Sequence, residues 1–133
     1  MNTFDVVVIG GGPAGITLAK NLGKERKVAI LRPEDHSMIY CAMPYAIEEL
    51  LPLEKTLKRD ALVTDAGAEL IRDKAVKVDF DEKRVVTEKN GSLQYGKLVI
   101  ATGADPIVPP IPGSSLKGVF TFKTEEDMRA LMG

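Results

Sequence analysis

The sequence predicts an α/β fold: a parallel sheet between layers of helix, with an antiparallel β-meander inserted. Three observations predict it. Residues 4–9, FDVVVI, form a β-branched run that passes straight into the glycine-rich stretch GGGPAG. A stretch of helical period and a second apolar run, KVAIL, follow within about 30 residues, the size of a β–α–β unit. A third apolar run, KLVIATG, comes after a long stretch in which apolar and polar residues alternate.

FDVVVI does not alternate through its centre, so it reads as a strand buried on both faces, as parallel sheets require. AGITLAKNLG reads as a helix with Ala14, Leu18, Ala19 and Leu22 on one stripe and Gly23 as its stop. KVAIL, 27–31, is the second strand, and Pro33 ends it. Pro44 disfavours helical geometry at Met43 and suits a first helical turn. A helix is therefore expected from Pro44 to Pro52, with Ala46, Ile47, Leu50 and Leu51 inward. A short helix is expected around Asp60–Ala66. Residues 69–95 read as a meander of about three antiparallel strands, with turn signals at DEK and NG. KLVIATG is a further buried strand. ADPIVPPIPG is a proline-rich connector, and Thr124 caps a final helix that has acids in its first turn.

Composition narrows the function classes. The 133 residues suffice for one domain with a core, and apolar residues make up 44%. Eighteen basic against 19 acidic residues leave a formal net charge of −1, which provides no electrostatic case for nucleic acid or an anionic membrane. No apolar run is long enough to span a bilayer, and MNTFD does not begin a signal peptide. One cysteine and one histidine are too few for a zinc site, and one cysteine cannot build an internal disulfide framework. No metal is expected, and a cytoplasmic location is the default reading.

Gly10, Gly12 and Gly15 spell G-x-G-x-x-G in the context that lends it meaning, after a strand and opening a helix. Gly10 allows the tight turn, Gly12 lets backbone approach a pyrophosphate, and Gly15 lets helix and strand pack closely. The helix N-terminus then offers free N–H groups to phosphate. The acid expected at the end of the second strand, where it would hold a ribose, is absent. LRPED places Arg32 there and Glu34 two residues on. Three readings of Arg32 stand: it faces a 2′-phosphate; it flanks the adenosine while Glu34 or backbone holds the ribose; or it is solvated.

Cys41 lies just ahead of the helix expected at Pro44, where free N–H groups and the positive dipole end favour a thiolate. It has no partner cysteine, so a reactive Cys41 is restricted to mixed-disulfide, persulfide or sulfenic acid states. On these residues alone a buried structural cysteine and a reactive one both stand. His36 reads as an exposed loop residue.

Together, GGGPAG near the start, SMIYCAMPY after the second strand and YGKLVIATGADPIVPPIPG after the meander resemble the N-terminal part of the FAD-dependent pyridine nucleotide–disulfide oxidoreductases. The cysteine segment resembles their single-cysteine branch: coenzyme A disulfide reductase, NADH oxidase, NADH peroxidase and persulfide reductase. Ser37, Cys41, Ala42, Met43, Pro44 and Tyr45 follow that branch's order.

The resemblance implies a Rossmann-like, three-layer FAD-binding fold, incomplete in this chain. It implies FAD in the first glycine loop, against Gly10, Gly12, Pro13, Ala14 and Gly15, with Ala101, Thr102 and Gly103 at a second crossing and Val76 bordering the adenine. It implies that Cys41 exchanges electrons with the flavin, that Ser37 and Tyr40 meet a small thiol or disulfide substrate, and that NAD(P)H is the co-substrate through a domain outside this chain. A homodimer is implied for the whole protein. Residues 1–113 are then the first part of an FAD-binding domain, and 114–133 a connector and helix leading onward. The chain is read as a fragment, inactive alone. Tyr40 stands where coenzyme A disulfide reductases carry asparagine. Pro13 stands where peroxidases carry a catalytic histidine, which disfavours peroxidase chemistry. Two other readings are carried: an electron-transfer reductase of the ferredoxin or rubredoxin reductase type with a structural cysteine, and a stand-alone nucleotide-binding module.

Overall fold

The computed structural model describes residues 2–133. The chain forms two compact units, Met1–Ser37 with Lys58–Gly103, and Met38–Leu57 with Ala104–Gly133.

The first unit begins with β1 (Asn2–Ile9), α1 (Pro13–Leu22) and β2 (Val28–Leu31), the expected β–α–β unit. β1 and β2 pair in parallel from Val6↔Val28 to Ile9↔Leu31. A short β3 (Ser37–Met38) pairs with β4 (Leu57–Lys58); between them in the chain lies α2 (Met43–Ile47), and after them α3 covers Ala61–Thr64. β5 (Glu69–Ile71), β6 (Ala75–Asp79), β7 (Arg84–Thr87) and β8 (Ser92–Ile100) complete a six-stranded sheet of order β5-β2-β1-β8-β7-β6.

Two apolar layers sandwich the parallel strands. On one face Val6, Val8, Val28 and Ile30 meet Ile16 and Ala19 of α1 and Val63 of α3. On the other, Phe4, Val7, Ala29 and Leu31 meet Val85, Leu93 and Tyr95. Phe4 and Val7 share a face because the side-chain alternation of β1 breaks at Asp5. The amides of Asp5 and Val6 both donate to the Lys27 carbonyl, which takes one residue out of the alternation. Each such side chain, fully buried, is worth about 1.5–3 kcal/mol, so these two layers dominate the unit's stability.

The structure departs from expectation at four elements of known cause. The α1 stripe is Gly15, Ile16 and Ala19, with Leu18 and Leu22 beside it, and Ala14 is exposed. Gly15 sets this face, because it alone can sit against the Gly10 carbonyl. β5 is not part of the meander but the parallel edge strand beside β2; alternation in three residues cannot tell the two pairings apart. The meander is β6, β7 and β8, and KLVI is no separate strand. It continues SLQY through Gly96, beside Asp5, so that β8 pairs with β1 along its length and with β7 near its start. Its later residues are only partly buried, and Ile100 is exposed. Gly23 does close α1, but in right-handed geometry. It is small because a Cβ would stand 2.4 Å from the Ala66 carbonyl oxygen.

In the second unit a single 3-10 turn, Tyr40–Ala42, leads into α2 (Met43–Ile47). This helix is shorter than the sequence suggests. Glu49 turns the chain at φ 58°, and the Leu50 amide reaches back to the Tyr45 carbonyl, a left-handed cap of the Schellman kind. Leu50 is therefore exposed, not inward. The final helix, α4 (Glu125–Met132), carries the expected Thr124 cap, completed as a capping box by Asp127. Its Met128 is fully buried with Met38, Met43, Ala46 and Leu53.

Candidate functional site

The glycine loop is built by close approach. Gly10 has φ 117°, and a Cβ there would lie 2.1 Å from the Ala101 carbonyl oxygen, so the end of β1 and the exit of β8 touch through this residue. A Cβ at Gly15 would lie 2.3 Å from the Gly10 carbonyl oxygen. Gly12 differs, for a Cβ there would meet nothing within 4 Å. The open side of the loop is thus at Gly12, the N-cap of α1. No side chain caps this helix and no acid sits in its first turn. Its free N–H groups and the positive end of its dipole suit an anion. Pro13, Ala14, Thr102 and Gly103 are exposed around the same loop ends. This donor set fits the pyrophosphate of a dinucleotide such as FAD.

The ribose end is organised differently. Arg32 is only 3% exposed, so it is not the solvated residue the sequence allowed. Its stem packs on Gly11, where a Cβ would lie 2.6 Å from the arginine Cδ. Its guanidinium donates to the carbonyls of Glu34 (2.9 Å) and Asp35 (3.1 Å) and to the Asp60 carboxylate (2.6 Å). Arg72 joins this cluster through Asp60 and the same two carbonyls. Burial pushes the Asp60 carboxyl up, but the hydrogen bond and charge of Arg32, with those of Arg72, outweigh it and hold it below its usual value. Arg32 is therefore a clasp between the end of β2 and the start of α3. It supports the loop from beneath, and Asp60 and Arg72 are partners that its sequence neighbours do not reveal. The Glu34 side chain is exposed while its carbonyl is anchored, and Val76 lies exposed on β6.

Ser37 is buried, and its hydroxyl has no hydrogen-bond partner among the described residues. In the second unit Cys41 is exposed as a free thiol on the 3-10 turn, closed by the Ala42 amide donating to the Ile39 carbonyl (2.9 Å). Its thiol is thus exposed in this chain, where one of the two readings of the sequence has it buried. The helix that follows, α2, has only five residues and few aligned peptides, so its dipole is small. Tyr40 is exposed and carries the Lys123 ammonium over its ring, 4.0 Å from the centroid. The loop residues, Arg32 and Glu34 thus gather in one unit and Tyr40 and Cys41 in the other. His36 is exposed, as expected. Among the described residues no cluster of His, Cys, Asp or Glu could hold a metal, and no helix is long and apolar enough to cross a membrane.

A Rossmann-like, mostly parallel sheet with a glycine-rich loop at the carboxyl end of its central strand β1 defines the class, and comparison with known proteins gives the family. Residues 4–132 match the pyridine nucleotide-disulphide oxidoreductases, and the chain belongs to that family. It is 32% identical to an NADH oxidase of Methanocaldococcus jannaschii over 95% of this chain and 31% of that protein. It is 36% identical to a CoA-dependent NAD(P)H sulfur oxidoreductase of Pyrococcus abyssi over 95% of this chain and 30% of the relative. Among solved structures, an NAD-dependent persulfide reductase from A. fulgidus superposes with a TM-score of 0.84 at 28% identity, covering 99% of this chain and 27% of the other. The chain spans under a third of the length of these relatives.

Proposed function

We propose that this chain is the FAD-binding portion of an NAD(P)H-dependent oxidoreductase in which Cys41 is the redox-active thiol. The acceptor is a small sulfur compound, a coenzyme A disulfide or a persulfide or polysulfide, with oxygen as the competing acceptor. The observation that carries the reading is the exposed Cys41 on its tight turn, in a chain of this family with no other cysteine among these 133 residues. Relatives named for sulfur reduction support it.

The residues take these roles. Gly12 and the first turn of α1 hold a pyrophosphate, with Pro13, Ala14, Ala101, Thr102 and Gly103 around it. Arg32, through Asp60, keeps the loop in place, and Glu34 and Val76 border the adenosine. The Cys41 thiolate attacks one sulfur of a disulfide RSSR′. The S–S bond breaks, a Cys41–SR mixed disulfide forms, and R′S⁻ leaves and takes up a proton. Ser37 and Tyr40 contact the substrate. FAD, when bound, would supply two electrons drawn from NAD(P)H; with them the S–S bond of the mixed disulfide breaks, RS⁻ leaves and takes up a proton, and the Cys41 thiolate is restored. The whole protein works as a homodimer.

The test is reductive titration of the FAD-loaded whole protein with NADH. A long-wavelength thiolate-to-flavin absorption band is expected, and it is absent from Cys41→Ser together with disulfide reductase activity. If Cys41→Ser keeps both, the cysteine is structural and an electron-transfer reductase becomes the better reading.

A further inference from the structure

The second unit holds the turn that carries Cys41 by two tethers, both from the far end of the chain. Met128 of α4 is fully buried against Met43 and Ala46, just after the cysteine. Lys123 stands over the ring of Tyr40, the residue just before it. The backbone that presents Lys123 is itself fixed. One Asp127 carboxylate oxygen accepts from the amides of Lys123 (2.8 Å) and Thr124 (2.9 Å), and the other from the Thr121 hydroxyl (2.8 Å). Asp127 in turn donates its own amide to the Thr124 hydroxyl (3.1 Å). Lys123 thus projects from a closed turn and not from a loose loop.

Among the described residues the Lys123 ammonium takes part in no ion pair. A ring face attracts a cation but does not neutralise it, so the charge remains available to a third party. Consecutive Cα atoms are about 3.8 Å apart. Tyr40 adjoins Cys41 on the same 3-10 turn, so the ammonium on its ring stands in the neighbourhood of the thiol, where salt can screen its charge. Tyr40 remains 42% exposed beside it, so the pair faces solvent and incoming molecules.

We propose that Lys123, seated on Tyr40, is a specificity-determining residue for Cys41: its charge selects anionic over neutral sulfur electrophiles. This rests on the reading of Cys41 as the reacting thiol and adds what that reading lacks, a residue that discriminates between substrates. It also assigns a use to the exposed ring of Tyr40. An aromatic ring there is the seat for the lysine.

The test needs no flavin. Alkylation of Cys41 is timed with two reagents that differ in charge, iodoacetate (anionic) and iodoacetamide (neutral). Their rate ratio is compared in the wild-type protein and in Lys123→Gln, Lys123→Arg and Tyr40→Phe. The ratio is expected to fall by up to about twofold at low salt in Lys123→Gln, the size of one charge acting through water at about 10 Å. It stays near wild type in Lys123→Arg and Tyr40→Phe, which keep the charge and the ring. In wild type it falls as salt is raised. An unchanged ratio in Lys123→Gln overturns the proposal. So does an equal loss with both reagents, which would mean that Lys123 only holds the turn. If Lys123→Gln unfolds, the salt dependence of the wild-type ratio decides, and its absence overturns the proposal. Loss of reductase activity in Cys41→Ser bears only on the catalytic reading, because the alkylation ratio is measured without turnover.

Discussion

Two glycines of one motif are expected to fail in opposite ways when changed to alanine. A Cβ at Gly15 would stand 2.3 Å from the Gly10 carbonyl oxygen. An unstrained carbon–oxygen contact is about 3.3 Å, so the start of α1 and the end of β1 must part by about 1 Å. Both partners are backbone, and neither can rotate away. Forced packing of this kind costs about 1–3 kcal/mol, and the upper end applies here. The helix propensity that alanine gains over glycine returns about 1 kcal/mol at most, which leaves a net loss of about 2–3 kcal/mol. For a chain of this length that lowers Tm by about 7–10 °C. At Gly12 a Cβ meets nothing, and φ is an ordinary −75°. Gly12→Ala should cost about 1 kcal/mol or less, the loss of a favoured N-cap residue. Yet it places a methyl group on the open side where a pyrophosphate would come. FAD affinity should therefore drop about tenfold or more in Gly12→Ala, equivalent to about 1.4 kcal/mol. Thermal unfolding followed by circular dichroism and FAD binding followed by flavin fluorescence separate the two effects. A Gly15→Ala Tm within 3 °C of wild type, on the order of 1 kcal/mol, refutes the close-approach argument. Undiminished FAD affinity in Gly12→Ala refutes the placement of the pyrophosphate.

Two further predictions concern stability. Asp73 is buried, and burial pushes its carboxyl up, but the amides of Lys74, Lys89 and Asn90 and the Asn90 side chain all donate to it and hold it well below the carboxylate range. A depressed native pKa means stability that is complete above the unfolded value, about 3.9, and lost as pH falls below it. Urea unfolding between pH 6 and pH 2.5 should show this loss in wild type and a flatter profile in Asp73→Asn, and identical profiles would count against the clamp. Met128→Ala removes a fully buried side chain from the small core of the second unit, at a cost of about 2–5 kcal/mol. Hydrogen exchange should speed up first in residues 38–57 and in α4, while β1, β2 and β8 keep their protection.

Much of the glycine loop and the strands and helix around it could be read from residue order alone, because their rules are local. A β-branched run, three spaced glycines and a helical stripe act over about 30 residues, and steric limits on backbone approach leave few alternatives. The meander was legible as alternation but not as pairing. Whether three residues such as Glu69–Ile71 join a parallel or an antiparallel neighbour is decided by strands far away in sequence. The second helix was misjudged in length because nothing in AIEELLP marks Glu49 for left-handed geometry, a conformation usually left to glycine.

The sequence by itself determined the sheet-and-helix class, the phosphate loop, the solitary cysteine and, through the order of its motifs, the family. Only the tertiary structure decided what Arg32 and Lys123 do. An arginine's place in the chain does not say whether it meets solvent, a phosphate or a carboxylate 28 residues away. Here the fold brings Asp60 to it, and a buried guanidinium must take such a partner, since leaving its charge unpaired away from water would cost several kcal/mol. Lys123 likewise reaches Tyr40 from the opposite end of its chain, a meeting that local residue order cannot encode.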